Sequence, residues 1–311
     1  MSSRELVALG TSSQVPTRER SHNAYLLRWD GESFLLDPGE GAQRQLTLAN
    51  IPASSIHHIC ITHFHGDHCL GLPGILQRLS LDHCGHPVHV YYPESGRMYV
   101  ERLCSAAIFK SEIEVVHHPA KQLPDGMFPL YSAREYALMS FPLEHSVPTV
   151  GFRLEEAARA RFLPDKLEEM GIRGAMIGRL QREGWIKNQE RIVRLEEVTV
   201  PHRGSIFAFV MDTRSCQGAI ELAKDADLLV MEATYTSEHQ DLASVYFHST
   251  AANAAKTALD AGAKLLALGH FSQRYLNAEQ HLIDAREIFP NVVALNDLDR
   301  IEITHRRQPS D

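Results

Sequence analysis

The chain has 311 residues, of which 44% are hydrophobic and 23% charged, a composition typical of a globular protein and not of a disordered or fibrous one. Its formal net charge is −8, so no overall basic charge marks it as a nucleic-acid-binding protein. No apolar run is long enough to span a bilayer and the first residues contain no apolar signal segment, so we expect a cytoplasmic protein without a membrane partner.

The first part of the chain predicts strands that alternate with helices. Apolar runs of strand length lie at 6–9, 24–29, 33–36, 56–61 and 88–92. The pair Asp30-Gly31 between the second and third runs predicts a hairpin turn. Helical patterns lie near 43–48, 74–79 and 96–108.

The second part continues in the same way. Its predicted strands lie at 112–117, 136–142, 149–154, 205–210, 228–232, 265–268, 292–294 and 300–304, with an alanine-rich helix at 249–261. Strands mixed with helices predict a layered α/β protein with two sheets inside and helices outside. Between 155 and 199 the pattern changes, because glycines and basic residues surround Trp185. We interpret this segment as an insertion in a single domain that spans 1–311.

The segment Thr-His-Phe-His-Gly-Asp-His at 62–68 directly follows the apolar run 56–61. It places His63, His65, Asp67 and His68 within six positions. Alternate side chains of a strand share a face, so we expect His63 and His65 on one side. Imidazole nitrogens and carboxylate oxygens are the donors that hold zinc and similar ions. The pattern therefore predicts a metal site and not a solvated histidine-rich loop.

Three later residues, His145, Asp212 and His270, each follow a predicted strand, where loops held by a rigid sheet usually build sites. Seven candidate ligands are too many for one tetrahedral zinc, so we expect two Zn²⁺ ions per subunit, with Mn²⁺ or Fe²⁺ as alternatives. The assignment is His63, His65 and His145 on the first ion, Asp67, His68 and His270 on the second, and Asp212 as the bridge. Paired ions lower the pKa of water and stabilise attacking and leaving oxygens, which predicts hydrolysis.

The other histidines and the cysteines carry no predicted chemistry. The five cysteines are scattered and odd in number, which fits reduced thiols and not a disulfide framework. Cys69 adjoins His68, but a free cysteine is more often a small buried apolar side chain than a ligand. The histidines interpreted as surface or packing residues are His22, His57, His58, His83, His86, His89, His117, His118 and His202.

The motif His-x-His-x-Asp-His resembles that of the metallo-β-lactamase superfamily, and nearly the whole chain resembles the ribonuclease Z family within it. The similar segments are 9–13, 16–20, 37–43, 71–74, Glu232-Ala233-Thr234, His248-Ser249-Thr250 and Ser272-x-Arg274-Tyr275. This resemblance implies a four-layer αββα sandwich with an inserted flexible arm. It also implies a homodimeric, zinc-dependent endoribonuclease that removes the 3′ trailer from precursor tRNA.

The resemblance further implies roles for individual residues. His248 protonates the leaving group or steadies the phosphate, and Glu232 orients it. Asp67 both binds metal and positions the attacking water. Arg274 binds substrate. A histidine whose pKa lies near the working pH is suited to such proton donation.

The segment 155–199 occupies the place of the family's tRNA-binding arm. Its stretch 171–194 contains six basic residues and two acidic ones, a charge of +4 that suits phosphate binding. The arm residues expected to bind substrate, here named the arm cations, are Arg173, Arg179 and Lys187.

The sequence departs from the family pattern at two informative places. Residues 174–178 read Gly-Ala-Met-Ile-Gly where the family's arm usually has a Gly-Pro pair and a lysine-rich tip, and Gly269 replaces a threonine. The altered arm leaves open a dinuclear hydrolase of the same superfamily that acts on a small phosphodiester, sulfate ester or lactone. A third hypothesis is a non-enzymatic RNA-binding protein that kept the fold, against which the intact candidate ligands argue.

Overall fold

The structure is a computed structural model that describes residues 4–123, 126–133, 135–189 and 191–303. The chain divides into two compact units. The first consists of the chain up to Ala133, Ala137–Leu154 and the chain from Ile206 onward, and the second is mainly Glu155–Ser205. No helix in the described part of the chain is long and apolar enough to cross a membrane.

The N-terminal elements follow the predicted order. Their strands are β1 (Glu5–Gly10), β2 (Ser12–Ser13), β3 (Ala24–Trp29), β4 (Glu32–Leu36), β5 (His58–Cys60), β6 (Val88–Pro93) and β7 (Val115–Ala120). Their helices are α1 (Ala42–Leu48), α2 (Gly66–Cys69), α3 (Leu72–Leu81) and α4 (Arg97–Cys104). The predicted hairpin is confirmed, because β3 and β4 pair antiparallel and both turn residues, Asp30 and Gly31, have positive φ.

The C-terminal part adds the remaining strands and helices. Strands β8 (Phe128–Ser132), β9 (Tyr136–Leu143) and β10 (Thr149–Glu156) come first. The second unit contains β11 (Arg159–Phe162), α5 (Pro164–Glu169), α6 (Ala175–Glu183), β12 (Trp185–Asn188), β13 (Arg191–Arg194) and β14 (Thr199–His202). Then follow β15 (Ile206–Val210), α7 (Gln217–Ala223), β16 (Leu228–Glu232), α8 (Gln240–Tyr246), α9 (Ala251–Asp260), β17 (Leu266–Gly269), β18 (Phe271–Ser272), α10 (Glu279–Arg286), β19 (Val292–Ala294) and β20 (Arg300–Glu302). Short 3₁₀ turns lie at Ala53–Ser55, Glu94–Gly96, Leu195–Glu197 and Ser237–His239.

Two seven-stranded sheets form from the described residues, in the orders β20-β1-β3-β4-β5-β6-β7 and β19-β17-β16-β15-β10-β9-β8. Apolar residues of β5 and β6 pack with α1 and α3 in one core, represented by Ile59, Val90 and Leu46. Residues of β15 to β17 pack with α7 and α9 in another, represented by Leu229 and Ala254. These sheet-and-helix layers confirm the predicted α/β sandwich.

The local structure of the metal motif differs from the prediction. The strand expected over 56–61 is only β5, so His63 and His65 lie in a loop and not on one face of a strand. The reason is the carboxylate of Asp37, which accepts the backbone N–H of Thr62 at 2.7 Å and thereby ends the ladder. Elsewhere, the strand predicted at 112–117 begins at Val115, and Thr304, predicted to end the last strand, lies outside the described residues.

A second group of histidines lies on neighbouring strands of the first sheet. His58 is 1% exposed, its Nε2 lies 3.1 Å from a carboxylate oxygen of Glu32, and its Nδ1 lies 3.0 Å from the hydroxyl of Tyr91. His89 Nδ1 lies 2.8 Å from His118 Nε2. Burial lowers the pKa of His58, His89 and His118, so the sheet favours these rings in the neutral form.

The second unit has a small core of its own. Strands β11 and β14 pair antiparallel, as do β12 and β13. The core consists of Ile172, Leu180, Ile186, Val193 and Val198, all buried. The arm cations are all exposed, and Arg179 pairs with Glu183 one helical turn away. The segment that the sequence marks as an insertion therefore folds around apolar contacts made within the unit.

Candidate metal centre and active site

Three of the predicted site residues lie at the carboxyl ends of neighbouring parallel strands. Asp212 follows β15 by two residues, Glu232 ends β16, and His270 directly follows β17. The register pairs Val210 with Met231 and Glu232 with Gly269. Because these strands are parallel, their carboxyl ends share one edge of the sheet, and the residues beyond them converge there.

One set of candidate ligands combines two loops with this edge. The ligand atoms of His63, His65, His145 and Asp212 all lie within 4.8 Å of one another. His65 Nδ1 lies 3.0 Å from His63 Nε2 and 3.3 Å from His145 Nε2, and Asp212 Oδ2 lies 3.6 Å from His63 Nε2. The structure thus brings together the residues that the sequence assigned to the first ion.

A second set lies beside it. Asp67, His68 and His270 also have ligand atoms within 4.8 Å of one another. The Nε2 atoms of the two histidines are 3.2 Å apart, and Asp67 Oδ2 lies 3.4 Å from each. Asp212 Oδ1 lies 3.2 Å from both nitrogens, so its two oxygens face different sets, as expected for a bridging ligand.

For three of the ligand rings, a hydrogen bond on the side away from the centre determines which nitrogen faces it. His68 Nδ1 donates directly to Asp37 at 2.8 Å. His63 Nδ1 donates to the hydroxyl of Thr62, which itself donates to Asp37. His145 Nδ1 donates to a backbone carbonyl. With these three Nδ1 protons donated outward, the unprotonated Nε2 atoms of His63, His68 and His145 face their ligand sets, as Nδ1 of His65 does, and such lone pairs require a cation between them.

The second sheet repeats this arrangement around another buried carboxylate. His270 Nδ1 donates to the hydroxyl of Thr234 at 2.9 Å, and that hydroxyl donates to Glu232 at 2.6 Å. Glu232 is fully buried. Each ligand set therefore has one histidine that a threonine hydroxyl links to a buried carboxylate. In the first set His63 is linked to Asp37, and in the second set His270 is linked to Glu232.

The charge of the centre also fits a divalent cation. Among the described residues, none donates a hydrogen bond to Asp212 Oδ1, although this oxygen is buried. Burial opposes a charged His68, yet the carboxylates of Asp212, Asp67 and Asp37 raise its pKa well above the usual value. The field between the ligands therefore favours positive charge, and an unpartnered buried carboxylate oxygen calls for a cation.

Several of these residues adopt left-handed backbone conformations. Asp37, Asp212 and His270 have φ of 46°, 45° and 60°, values that non-glycine residues seldom adopt. Such strain, about 1–3 kcal/mol per residue, persists where the surroundings fix a functional geometry. The glycine at position 269 has a steric explanation instead, because a Cβ there would lie 2.0 Å from the hydroxyl of Tyr25.

Glu232 and His248 form a charged pair beside the centre. Glu232 accepts hydrogen bonds from the backbone N–H groups of Thr213 and Ser249 at 2.5 and 3.1 Å, and both of its oxygens lie 3.1 Å from His248 Nδ1. Burial opposes protonation, but the Glu232 carboxylate raises the pKa of His248 to about 9. His248 Nδ1 also lies 3.9 Å from Asp212 Oδ2, so a positioned imidazolium faces the edge of the ligand cluster.

The candidate ligands open into a cavity of about 800 Å³. Its lining includes His65, Asp67, His145, Asp212, Tyr235, Tyr246, His248 and Arg274. Arg274 is exposed, with its guanidinium 5.2 Å from the ring centroid of Tyr235. His22, expected to be a surface or packing residue, also lines this cavity.

Sequence reasoning missed the residues behind the ligands. Asp37 entered only as the first residue of the family-like segment 37–43, and no local pattern identifies it as the partner of His68, 31 positions away. Thr62 and Thr234 lie within segments that the sequence analysis quoted, but no role was assigned to either, and their position beside candidate site residues was the one available signal. The arm cations lie in the second unit, whereas Arg274 lies in the first with the candidate ligands.

Comparison with known proteins agrees with this fold. The sequence profile of the metallo-β-lactamase superfamily matches residues 17–270, which defines the class of protein. The ribonuclease Z of Nocardia farcinica is 49% identical over 309 residues, covering 99% of this chain and all of the relative, and that of Streptomyces coelicolor is 46% identical over the same shares. The crystal structure of the short form of human tRNase Z matches with a TM-score of 0.70 and 26% identity, covering 96% of this chain and 99% of that one. The chain belongs to the ribonuclease Z family.

Proposed function

We propose that the protein is a metal-dependent endoribonuclease that removes the 3′ trailer from precursor tRNA. The observation that carries this function is the Glu232–His248 pair beside the converging His/Asp ligands, in a chain that aligns with ribonuclease Z relatives over 99% of its length. A phosphodiester needs charge stabilisation at phosphorus and a proton for its leaving oxygen. The cavity offers residues for both.

For the metals, the proposal is two Zn²⁺ ions, with Mn²⁺ or Fe²⁺ as alternatives of similar ligand preference. The proposed ligands are His63, His65 and His145 for one, Asp67, His68 and His270 for the other, and Asp212 for both. When bound, such ions lower the pKa of water and stabilise negative charge on the phosphate oxygens. Asp67 accepts a hydrogen bond from the backbone N–H of Gln14 at 2.8 Å, which restrains its carboxylate. Its proposed second role is to orient the attacking water.

His248 is the proposed proton donor to the leaving 3′ oxygen of the tRNA. Its raised pKa keeps it protonated at neutral pH, and the hydrogen bond from Nδ1 to Glu232 leaves Nε2–H free to face substrate. Glu232 acts through His248 and is a positioning residue. A general acid of this kind contributes about 10²–10⁴-fold to a rate.

The segment 155–199 is proposed as the arm that binds tRNA away from the cleavage site. The arm cations are exposed, and a cavity of about 610 Å³ in the second unit is lined by Trp185, Ile192 and Arg194. Basic side chains supply salt-dependent affinity for phosphates and an exposed aromatic ring supplies a stacking surface. Arg274 is proposed to bind substrate at the cleavage site itself.

The family suggests two further properties that belong to this proposal. The protein is expected to act in the cytoplasm as a homodimer, with a mass twice the 34.9 kDa of one chain. Light scattering on the metal-loaded protein measures this mass. A monomeric protein that cleaves precursor tRNA would remove the dimer from the proposal and leave the reaction in place.

The decisive experiment is cleavage of a precursor tRNA with a 3′ trailer, mapped to the nucleotide. The metal-loaded protein should make a single cut 3′ of the discriminator nucleotide, leaving a 3′ hydroxyl on the tRNA and a 5′ phosphate on the trailer. Asp67→Ala should abolish the cut, whereas the matched control Asp82→Ala, at an exposed acid on α3's C-cap, should not. Hydrolysis of a small phosphodiester without any tRNA cut would favour the small-ester hydrolase suggested by the altered arm.

A further inference from the structure

The rim of the active-site cavity carries exposed apolar side chains that no proposed role uses. Leu70, Val245 and Tyr246 line the cavity and are 54%, 65% and 56% exposed. Exposed apolar groups that gather beside a polar site commonly mark a surface for a ligand. Of the three, only Tyr246 offers a flat aromatic face.

The backbone fixes Tyr246 relative to His248. Tyr246 is the last residue of α8, and Phe247, with φ of 58°, ends the helix in a left-handed conformation. The N–H of His248 then donates to the carbonyl of Ala243 at 2.8 Å. The next residue after His248 is also anchored, because the hydroxyl of Ser249 donates to the carbonyl of Thr213 at 2.6 Å. The tyrosine and the histidine thus belong to one anchored turn.

We propose that the ring of Tyr246 is the stacking platform for the base of the discriminator nucleotide, the last nucleotide that the tRNA retains. This inference rests on the proposed function. A proton donor at the leaving 3′ oxygen lies beside the ribose that carries this oxygen, so the nucleotide 5′ of the cut occupies the His248 side of the cavity. Its base then meets the aromatic side chain that the same turn presents.

Stacking also suits the chemistry of the substrate. Precursor tRNAs carry different bases at this position, so hydrogen bonds to base edges would favour some precursors over others. Every base has a π-face, and stacking on an aromatic side chain is therefore tolerant of sequence. Unpaired RNA ends are recognised in this way because their bases are free to leave the helical stack. A tyrosine meets this need with its ring and requires no partner for its hydroxyl.

The test pairs a change in the protein with a change in the substrate. Tyr246→Leu keeps an apolar side chain and removes the ring, and Tyr246→Phe is the matched control that keeps it. On an intact precursor tRNA, Tyr246→Leu should lower kcat/KM by about 5- to 150-fold, and Tyr246→Phe should change it little. An abasic residue at the discriminator position should cost the wild type a similar factor.

The combination decides the proposal. If the ring and the base stack on each other, Tyr246→Leu acting on the abasic precursor should lose no more than about twofold relative to wild type on that substrate. Independent, multiplied losses would overturn the platform, as would a coupling found instead at the first trailer nucleotide. In each case wild-type cleavage of the intact precursor confirms that the proposed function itself holds. Unchanged metal content and unfolding temperature show that Tyr246→Leu is folded.

Discussion

Replacing Asp37 with asparagine should weaken metal binding at the second ligand set without replacing a ligand. Asp37 Oδ1 accepts the N–H of Thr62, and Oδ2 accepts Nδ1–H of His68 at 2.8 Å and the hydroxyl of Thr62 at 2.8 Å. An asparagine keeps one oxygen. In the orientation that leaves this oxygen bonded to the N–H of Thr62, its NH₂ group faces two donors. In that orientation His68 can relieve the conflict only by moving its proton to Nε2, which removes the lone pair from the metal centre.

The size of the effect follows from this geometry. Residues that orient a metal-ligating histidine are worth about 10- to 100-fold in metal affinity, or about 1.4–2.7 kcal/mol. Asp37 and His68 are both fully buried, so no water can replace the lost hydrogen bond. A buried donor without a partner adds about 1–3 kcal/mol of destabilisation. Asp37→Asn should therefore lower both the affinity for a metal ion and the free energy of unfolding.

Isothermal titration of the metal-free protein with Zn²⁺ measures both binding events. We expect Asp37→Asn to weaken the event at the His68 set by 10- to 100-fold. The event at the His63 set should weaken less, because the hydroxyl of Thr62 stands between His63 and Asp37. The matched control is Asp227→Asn, at a buried carboxylate that accepts a hydrogen bond from the N–H of Ile206 at 2.8 Å. It should lower stability and leave both events intact. Two wild-type events in Asp37→Asn would refute the tautomer argument.

Three further predictions follow from other parts of the chain. Replacing the arm cations with alanine should weaken tRNA binding but retain hydrolysis of a small phosphodiester. The slope of the logarithm of the binding constant against log[salt] should become shallower by about 0.7–0.9 per lost phosphate contact. An unchanged slope would contradict the arm assignment. Gly269→Ala should lower the unfolding temperature because its Cβ meets the hydroxyl of Tyr25, and Tyr25→Phe should restore it; failure of that rescue would count against the clash. The pKa of His58 is lower in the folded chain than in the unfolded chain, so below pH 6.5 the unfolded chain binds a proton that the folded chain does not. The free energy of unfolding should therefore fall as the pH drops through 6.5. The total loss, once the pH is below both pKa values, is about 1.4 kcal/mol per unit of pKa difference. His58→Leu should reduce this slope in urea titrations at pH 7 and pH 5, and equal slopes would show that the ring is not the cause.

The sequence predicted, for a physical reason, which candidate ligands lie close together. Residues that follow apolar strands come together at one edge when the strands run parallel in one sheet, as β15, β16 and β17 do, so Asp212 and His270 could be predicted without knowing any distance. The motif at 63–68 needed still less, since its ligands are close in the chain. The predicted strand geometry of His63 and His65 was wrong, because the side chain of Asp37, 25 positions before Thr62, ends that strand.

The residues that support the candidate ligands and those that line the cavity around them could not be predicted from the sequence. The pairing of Asp37 with His68 depends on β4 and β5 lying side by side, and that pairing is a property of the sheet and not of either segment. His22 reaches the cavity through a loop whose path no periodicity describes. The position of Tyr246 depends on the left-handed conformation of Phe247, for which an aromatic residue gives no signal.

The two ligand sets draw side chains from both sheets. His63 and His68 follow β5 of the first sheet, whereas Asp212 and His270 follow strands of the second. An ion held between them is a cross-link, and its binding free energy adds to the energy needed to separate the layers. Each tenfold excess of free ion over its dissociation constant contributes about 1.4 kcal/mol. Metal starvation would then reduce the lifetime of the protein in the cell as well as its turnover, because an opened sandwich exposes chain to proteolysis.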